Sequence, residues 1–192
     1  MGQKSGKKQK DFTQLSDEDI NRLTKNTSYS REQIQEWHQG FLHDCPYGKV
    51  DKKKFIDVYK KFYPEGKAEN FCTQVFKAFD SDDNGFIDFV EFIVAVNITS
   101  HGDAKDKLQL AFEMYDMNKN GKIDKKEMTK VITAIYELLG EDNRKGENSP
   151  ENRVKKIMEQ LDLNDDKNIS RDEFVAGCLK DDVLRKLLAP NV

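Results

Sequence analysis

The stretch Asp80-Ser81-Asp82-Asp83-Asn84-Gly85-Phe86-Ile87-Asp88-Phe89-Val90-Glu91 decides how this chain folds. Asp80, Asp82 and Asn84 put side-chain oxygens at the first, third and fifth positions, and the Phe86 carbonyl stands at the seventh. Asp88, at the ninth, reaches an ion through a water, and Glu91, at the twelfth, offers two oxygens. Six or seven oxygens suit a hard cation, Ca²⁺, rather than zinc or copper, which prefer nitrogen and sulfur. Gly85 occupies the point where such a loop turns sharply with φ > 0.

Working outward, this twelve-residue pattern is that of an EF-hand, and it recurs. Downstream, the third loop carries Asp116, Asn118, Asn120, the Lys122 carbonyl, Asp124 and Glu127, with Gly121 at the turn. A fourth loop follows with Asp162, Asn164, Asp166, the Asn168 carbonyl, Ser170 and Glu173. Lys167 stands where that loop needs glycine. A non-glycine residue at φ > 0 costs about 1–3 kcal/mol, so Ca²⁺ is expected there, but held more weakly. Upstream, alignment on Gly48 gives a first loop from His43 to Lys54 that is disabled. His43 and Cys45 stand at its first and third positions, Pro46 restricts the backbone, and Lys54 replaces the acid at the twelfth. Mg²⁺ is the expected competitor at the intact loops.

The four loops begin at residues 43, 80, 116 and 162, an internal repeat of helix–loop–helix units. Such hands pair through their eighth residues, Val50 with Ile87 and Ile123 with Ile169. The expected fold is therefore all-α: four EF-hands in two paired lobes, joined within each lobe by a short β contact. Residues 1–15 form a basic amino-terminal segment, 16–98 the first pair, 99–103 a hinge, 104–179 the second pair and 180–192 an amphipathic tail. Ser16 caps a first helix, Ser30-Arg31-Glu32-Gln33 is a capping box, and Ser149-Pro150 restarts a helix after the polar stretch 140–149.

Composition narrows the function. Acids and bases nearly cancel, leaving a formal net charge of −3, which is no nucleic-acid signature. The longest apolar run, residues 92–96, is far too short to span a bilayer. Cys45, Cys72 and Cys178 are an odd count without paired spacing, which fits a reducing cytosol. No nucleophile–base motif is present, and His38, His43 and His101 lack zinc-type spacing, so the chain does not read as an enzyme. Gly2 after Met1 raises N-myristoylation, although Gly6 stands where Ser or Thr is usual. Lys4, Lys7, Lys8 and Lys10 supply the basic partner a single acyl chain needs for firm attachment to a membrane surface.

Several segments together resemble the neuronal calcium sensor family. They are Glu36-Trp37-His38-Gln39-Gly40-Phe41-Leu42, the disabled loop with Cys45-Pro46-Tyr47-Gly48, Phe62-Tyr63-Pro64-Glu65-Gly66, Asn97-Ile98-Thr99-Ser100-His101-Gly102 and Ser149-Pro150-Glu151. Residues 11–19 are extra length relative to that pattern. The resemblance implies a myristoylated Gly2, Ca²⁺ at the second to fourth hands and reversible membrane association in the cytoplasm. It also implies a hydrophobic groove for an amphipathic helix of a membrane-associated target: a kinase, cyclase, receptor or channel. Mapped here, that groove is lined by Trp37, Phe41, Phe55, Val58, Tyr59, Phe62, Phe92 and Val96. The tail Val183-Leu184-Arg185-Lys186-Leu187-Leu188 is itself amphipathic and is a candidate to fill part of it.

The expected mechanism is a switch in which ion binding relieves repulsion among loop carboxylates, reorients helices and uncovers apolar surface. The rival readings are a cytosolic Ca²⁺ buffer, a regulatory subunit of a phosphatase and a Ca²⁺-triggered photoprotein. The aromatic-rich first lobe argues against a buffer. The single Trp and the position of the disabled loop argue against a photoprotein.

Overall fold

Side-chain caps set where most of the helices begin. A computed structural model describes residues 11–62, 67–140 and 145–189; Gly2 and the side chain of Phe62 lie outside what it describes. In chain order, α1 (Asp17–Asn26) and α2 (Arg31–Asp44) start at Ser16 and Ser30, each within a reciprocal capping box. The first loop carries β1 (Lys49–Asp51) into α3 (Lys52–Phe62), and α4 (Ala68–Phe79) leads to the second loop, with β2 (Phe86–Asp88) and α5 (Phe89–His101). The second half repeats this with α6 (Ala104–Tyr115), β3 (Lys122–Asp124), α7 (Lys125–Leu138), α8 (Pro150–Leu161), β4 (Asn168–Ser170) and α9 (Arg171–Lys180). A short α10 (Asp182–Leu188) ends the described chain.

Loops two to four build their exit helices by one device. The ninth residue (Asp88, Asp124, Ser170) caps the helix, and the twelfth (Glu91, Glu127, Glu173) bonds back to the cap's amide. These capping boxes use the same side chains as the cation pattern, so each loop's shape and its oxygen set are specified together. The first loop has half of the device: Asp51 accepts from the Lys54 amide at 2.8 Å, and a lysine cannot return the bond.

The eighth residues pair as their spacing requires. Val50 faces Ile87 across the antiparallel β1–β2 ladder, and Ile123 faces Ile169 across β3–β4. Ile87, Ile123 and Ile169 are almost fully buried, so each ladder is pinned to its lobe's core. The second lobe has the larger core, with Phe112, Tyr115, Met128, Ile132, Ile157 and Phe174 at its centre. In the first lobe Leu23, Ile34, Phe41, Phe89 and Ile93 form a smaller one.

Two features depart from expectation, and a third is added by the structure. The hinge is shorter than 99–103: α5 runs through His101, with Thr99 Oγ1 donating to the Ala95 carbonyl, and only Gly102 and Asp103 break the helix. The tail does not enter the first lobe. Leu184 and Leu188 of α10 are buried in the second lobe's core, and the Tyr115 hydroxyl donates to the Leu188 carbonyl at 3.1 Å. The lobes also touch. Ala68, Cys72 and Leu138 form a buried cluster flanked by Phe55, Ile56, Tyr59 and Phe71. Beside it the Lys67 amide donates to the Glu137 carbonyl, and Asn70 donates to the Glu137 carboxylate.

The extra residues ahead of α1 have a place as well. Residues 11–15 lie across the first loop, so close that a Cβ on Gly48 would sit 2.0 Å from the Phe12 carbonyl oxygen. The Lys49 ammonium is shared between the rings of Phe12 and Phe86, at 5.0 and 3.6 Å from their centroids.

Candidate calcium sites and apolar cavity

Turn chemistry aims the oxygens of the second loop. The Asn84 amide donates to Asp80 Oδ1 at 3.0 Å and the Gly85 amide to Asp80 Oδ2 at 2.9 Å. The Phe86 amide donates to Asn84 Oδ1 at 2.9 Å. Glu91 folds across the loop, Oε1 accepting from the Ser81 amide and Oε2 from the Asp88 amide. Carboxyl oxygens of Asp80, Asp82 and Glu91 thereby come within 4.8 Å of one another. Ca²⁺–oxygen bonds are about 2.3–2.6 Å long, so oxygens on opposite sides of one ion stand about 5 Å apart. The donor set and its span therefore fit Ca²⁺. Burial pushes the Asp80 carboxyl above its ordinary range; its amide partners oppose this, and the nearby Asp82 and Asp83 add to it.

The third loop repeats this geometry closely. Asp116 accepts from the amides of Asn120 and Gly121 at 3.0 and 2.8 Å, and Glu127 accepts from Met117, Asn118 and Asp124. Gly85 and Gly121 sit at φ +84° and +81° with open space around them. In the fourth loop Lys167 adopts φ +64°, so a lysine does take the left-handed glycine conformation, and its amide donates to Asp162 Oδ2 at 2.9 Å. Glu173 folds back as its counterparts do, accepting from Leu163 and Ser170.

Three lysines enter this picture in ways that spacing does not reveal. Lys54, at the twelfth position of the first loop, donates its ammonium to the Asp44 carbonyl within that loop. Lys119 of the third loop pairs with Asp83 of the second at 2.8 Å, a bridge between lobes. Lys122, whose carbonyl is the seventh-position oxygen of the third loop, sends its ammonium to Asp166 of the fourth at 2.9 Å. That bond holds Asp166 below the ordinary carboxylate range and Lys122 above its own, with Glu173 adding a further attraction to Lys122.

Beside the second loop lies an apolar cavity of about 730 Å³. Trp37, Phe41, Phe55, Val58, Tyr59 and Phe92 line it, Phe79 and Ile87 belong to its wall, and Gln33, Glu36, Asp44 and Lys54 add polar groups. Trp37 and Val58 are 41% and 44% exposed, so the cavity opens to solvent along an apolar rim. Val96 does not line it. It stands one helical turn beyond Phe92, and the cavity ends at that residue. Phe79 and Ile87 went unnoticed as lining because one reads as the end of a helix and the other as a β contact. Their signal was positional, since they flank and enter the second loop.

Comparison with known proteins follows the same outline. Family models for a pair of EF-hand domains match residues 48–99 and 105–179. Over 178 residues the chain is 36% identical to S-modulin of Aquarana catesbeiana, covering 91% of this chain and 88% of that protein. It is 35% identical to human recoverin, with 91% and 89% covered, and 33% identical to chicken visinin, with 91% and 93% covered. The chain belongs to the neuronal calcium sensor family. This sensor is accordingly an EF-hand, calcium-binding protein, mostly helical with two short antiparallel sheets. Among its described residues no helix is long and apolar enough to cross a membrane.

Proposed function

We propose that this sensor holds Ca²⁺ at its second, third and fourth loops and uses the apolar cavity of its first lobe to bind an amphipathic helix of a membrane-associated target. The observation that carries this reading is that Ile87 of the second loop, and Phe79 immediately before that loop, both belong to the cavity wall. Any rearrangement of the loop is thus transmitted to the wall. The ligands are Asp80, Asp82, Asn84, the Phe86 carbonyl, Asp88 and Glu91 in the second loop, and Asp116, Asn118, Asn120, the Lys122 carbonyl, Asp124 and Glu127 in the third. In the fourth they are Asp162, Asn164, Asp166, the Asn168 carbonyl and Glu173. Bound Ca²⁺ would supply two positive charges to each carboxylate set, with Mg²⁺ as its competitor.

The chain's own residues do the rest. Glu91 already bridges the start of its loop and the cap of α5, so its position governs the angle of that helix. Phe92, the next residue, carries the change into the cavity. The first loop takes no part in ion binding: Lys54 already places a cation on its backbone, and its role is to hold β1 against β2. Three filled loops would take the formal charge from −3 to about +3, which favours an anionic membrane surface. Myristoylation of Gly2 beside its lysines would make attachment firm and reversible.

Trp37 fluorescence tests this. On the full, acylated chain at constant Mg²⁺, a Ca²⁺ titration should give a saturable emission change that Glu91→Gln abolishes. Emission that stays constant while calorimetry registers bound ions would make the protein a buffer. Binding to anionic vesicles that is equal with and without Ca²⁺ would remove the membrane step. A phosphatase as the bound target would favour the alternative reading of a regulatory subunit.

A further inference from the structure

We propose that Lys122 is a tethered cation that competes with Ca²⁺ for the fourth loop and keeps that loop's affinity below the others. The inference rests on the reading above that the fourth loop takes an ion. Its geometric basis is direct: the β3–β4 register sets Lys122 opposite Ser170, and from there the ammonium reaches Asp166 Oδ2 at 2.9 Å. Asp166 Oδ1 is already taken by the Asn168 amide, also at 2.9 Å. Both oxygens of the fifth-position carboxylate are therefore engaged within the protein.

Among the described residues the other loops lack this feature. At the fifth position of the second and third loops stand Asn84 and Asn120, whose Oδ1 atoms accept a backbone amide and, among the described residues, meet no ammonium. Lys49, the counterpart of Lys122 in the first lobe, rests over the Phe86 ring rather than on a carboxylate of the second loop. The same ladder position thus carries a lysine in both lobes, and only in the second lobe does it oppose a cation. Lys122 remains half-exposed, so its ammonium can leave Asp166 for solvent. The fourth loop is handicapped rather than closed. Because the carbonyl of this residue belongs to the third loop and its ammonium to the fourth, one residue joins the two sites, and the fourth is the last to fill.

The test is calorimetric titration of the full chain with CaCl₂. It compares the wild type, Lys122→Met, Lys122→Gln and Lys122→Arg, each with and without Glu173→Gln, with the Ile169 amide resonance reporting occupancy of the fourth loop. The carbonyl of residue 122 is retained throughout. The ion lost with Glu173→Gln should bind about three- to tenfold more tightly in the Met and Gln variants, the scale of one partly exposed ion pair. The Arg variant, which keeps the charge, should stay within about twofold of wild type. An ion that appears in the fourth loop only after Lys122→Met supports the proposal equally. Equal affinity in wild type, Met and Gln variants overturns it while leaving the fourth site standing. The absence of any Glu173-dependent ion in every variant overturns both it and the reading on which it rests.

Discussion

Replacing Gly48 with alanine should detach the segment ahead of the first helix. Gly48 sits at φ +67°, and alanine there costs about 1–2 kcal/mol in backbone strain alone. The new methyl would also lie 2.0 Å from the Phe12 carbonyl oxygen and 2.8 Å from the Thr13 nitrogen. Ordinary contact begins at 3.4 Å, so residues 11–15 must retreat by about 1.4 Å. The obstacle is backbone, which cannot rotate aside. Overpacking of this kind costs about 1–3 kcal/mol, limited by the smaller amount at which the whole segment peels away. Gly85→Ala is the control in the same lobe, with φ +84° and nothing within 4 Å of the added carbon. In urea unfolding with chelator present, Gly48→Ala should lose about 1–2 kcal/mol more than Gly85→Ala. Hydrogen exchange at the Thr13 and Gln14 amides, which bond to Asp11, should accelerate only in Gly48→Ala. Equal losses in the two variants, or unchanged exchange at those amides, would refute the idea that the segment is seated on the first loop.

Other consequences follow from the same structure. Tyr115→Phe deletes a buried bond to the Leu188 carbonyl and should cost about 1 kcal/mol, with faster exchange at the Arg185 and Ala189 amides marking a loosened α10. His38 is buried against the Phe89 ring, and desolvation lowers its pKa from the ordinary 6.5. The folded state therefore binds the proton less readily than the unfolded chain, so stability present above pH 6.5 is lost as pH falls toward the folded pKa. A urea midpoint that drops from pH 7 to 5 in chelator, and drops less in His38→Phe, would bear this out. Burial pushes the thiols of Cys72 and Cys178 up to about 11 and about 12. Both should resist iodoacetamide at pH 8 until the protein is unfolded, as read by mass spectrometry of the alkylated peptides.

The ion-binding pattern was legible in the sequence because every requirement of it is local. Twelve consecutive residues carry the oxygens, the sharp turn and the cap of the exit helix, so Asp80 to Glu91 announces its own conformation. The departure of the first loop from the pattern is equally plain, since His43 and Lys54 stand at fixed positions where the pattern has oxygen ligands. The β contacts were legible too, because the eighth residue of each loop is fixed by its spacing and must be apolar to face its partner. Even the helix starts at Ser16, Ser30 and Ser149 depend on side chains bonding three residues ahead.

Tertiary structure alone decided what meets across long separations in the chain. An amphipathic stripe shows which face is apolar but not what covers it. Val183–Leu188 thus read as a candidate for the first lobe's groove, whereas Leu184 and Leu188 are buried in the second lobe. The same limit applies to the cavity, which takes in Phe79 and Ile87 and leaves out Val96. Long, flexible lysines are the extreme case. Nothing in the sequence marks the partners of the Lys54, Lys119 and Lys122 ammonium groups, yet each finds one that only the folded backbone brings within reach. Loop chemistry is written in neighbouring residues; the ammonium that opposes the fourth loop is set by the register of two strands 46 residues apart in sequence.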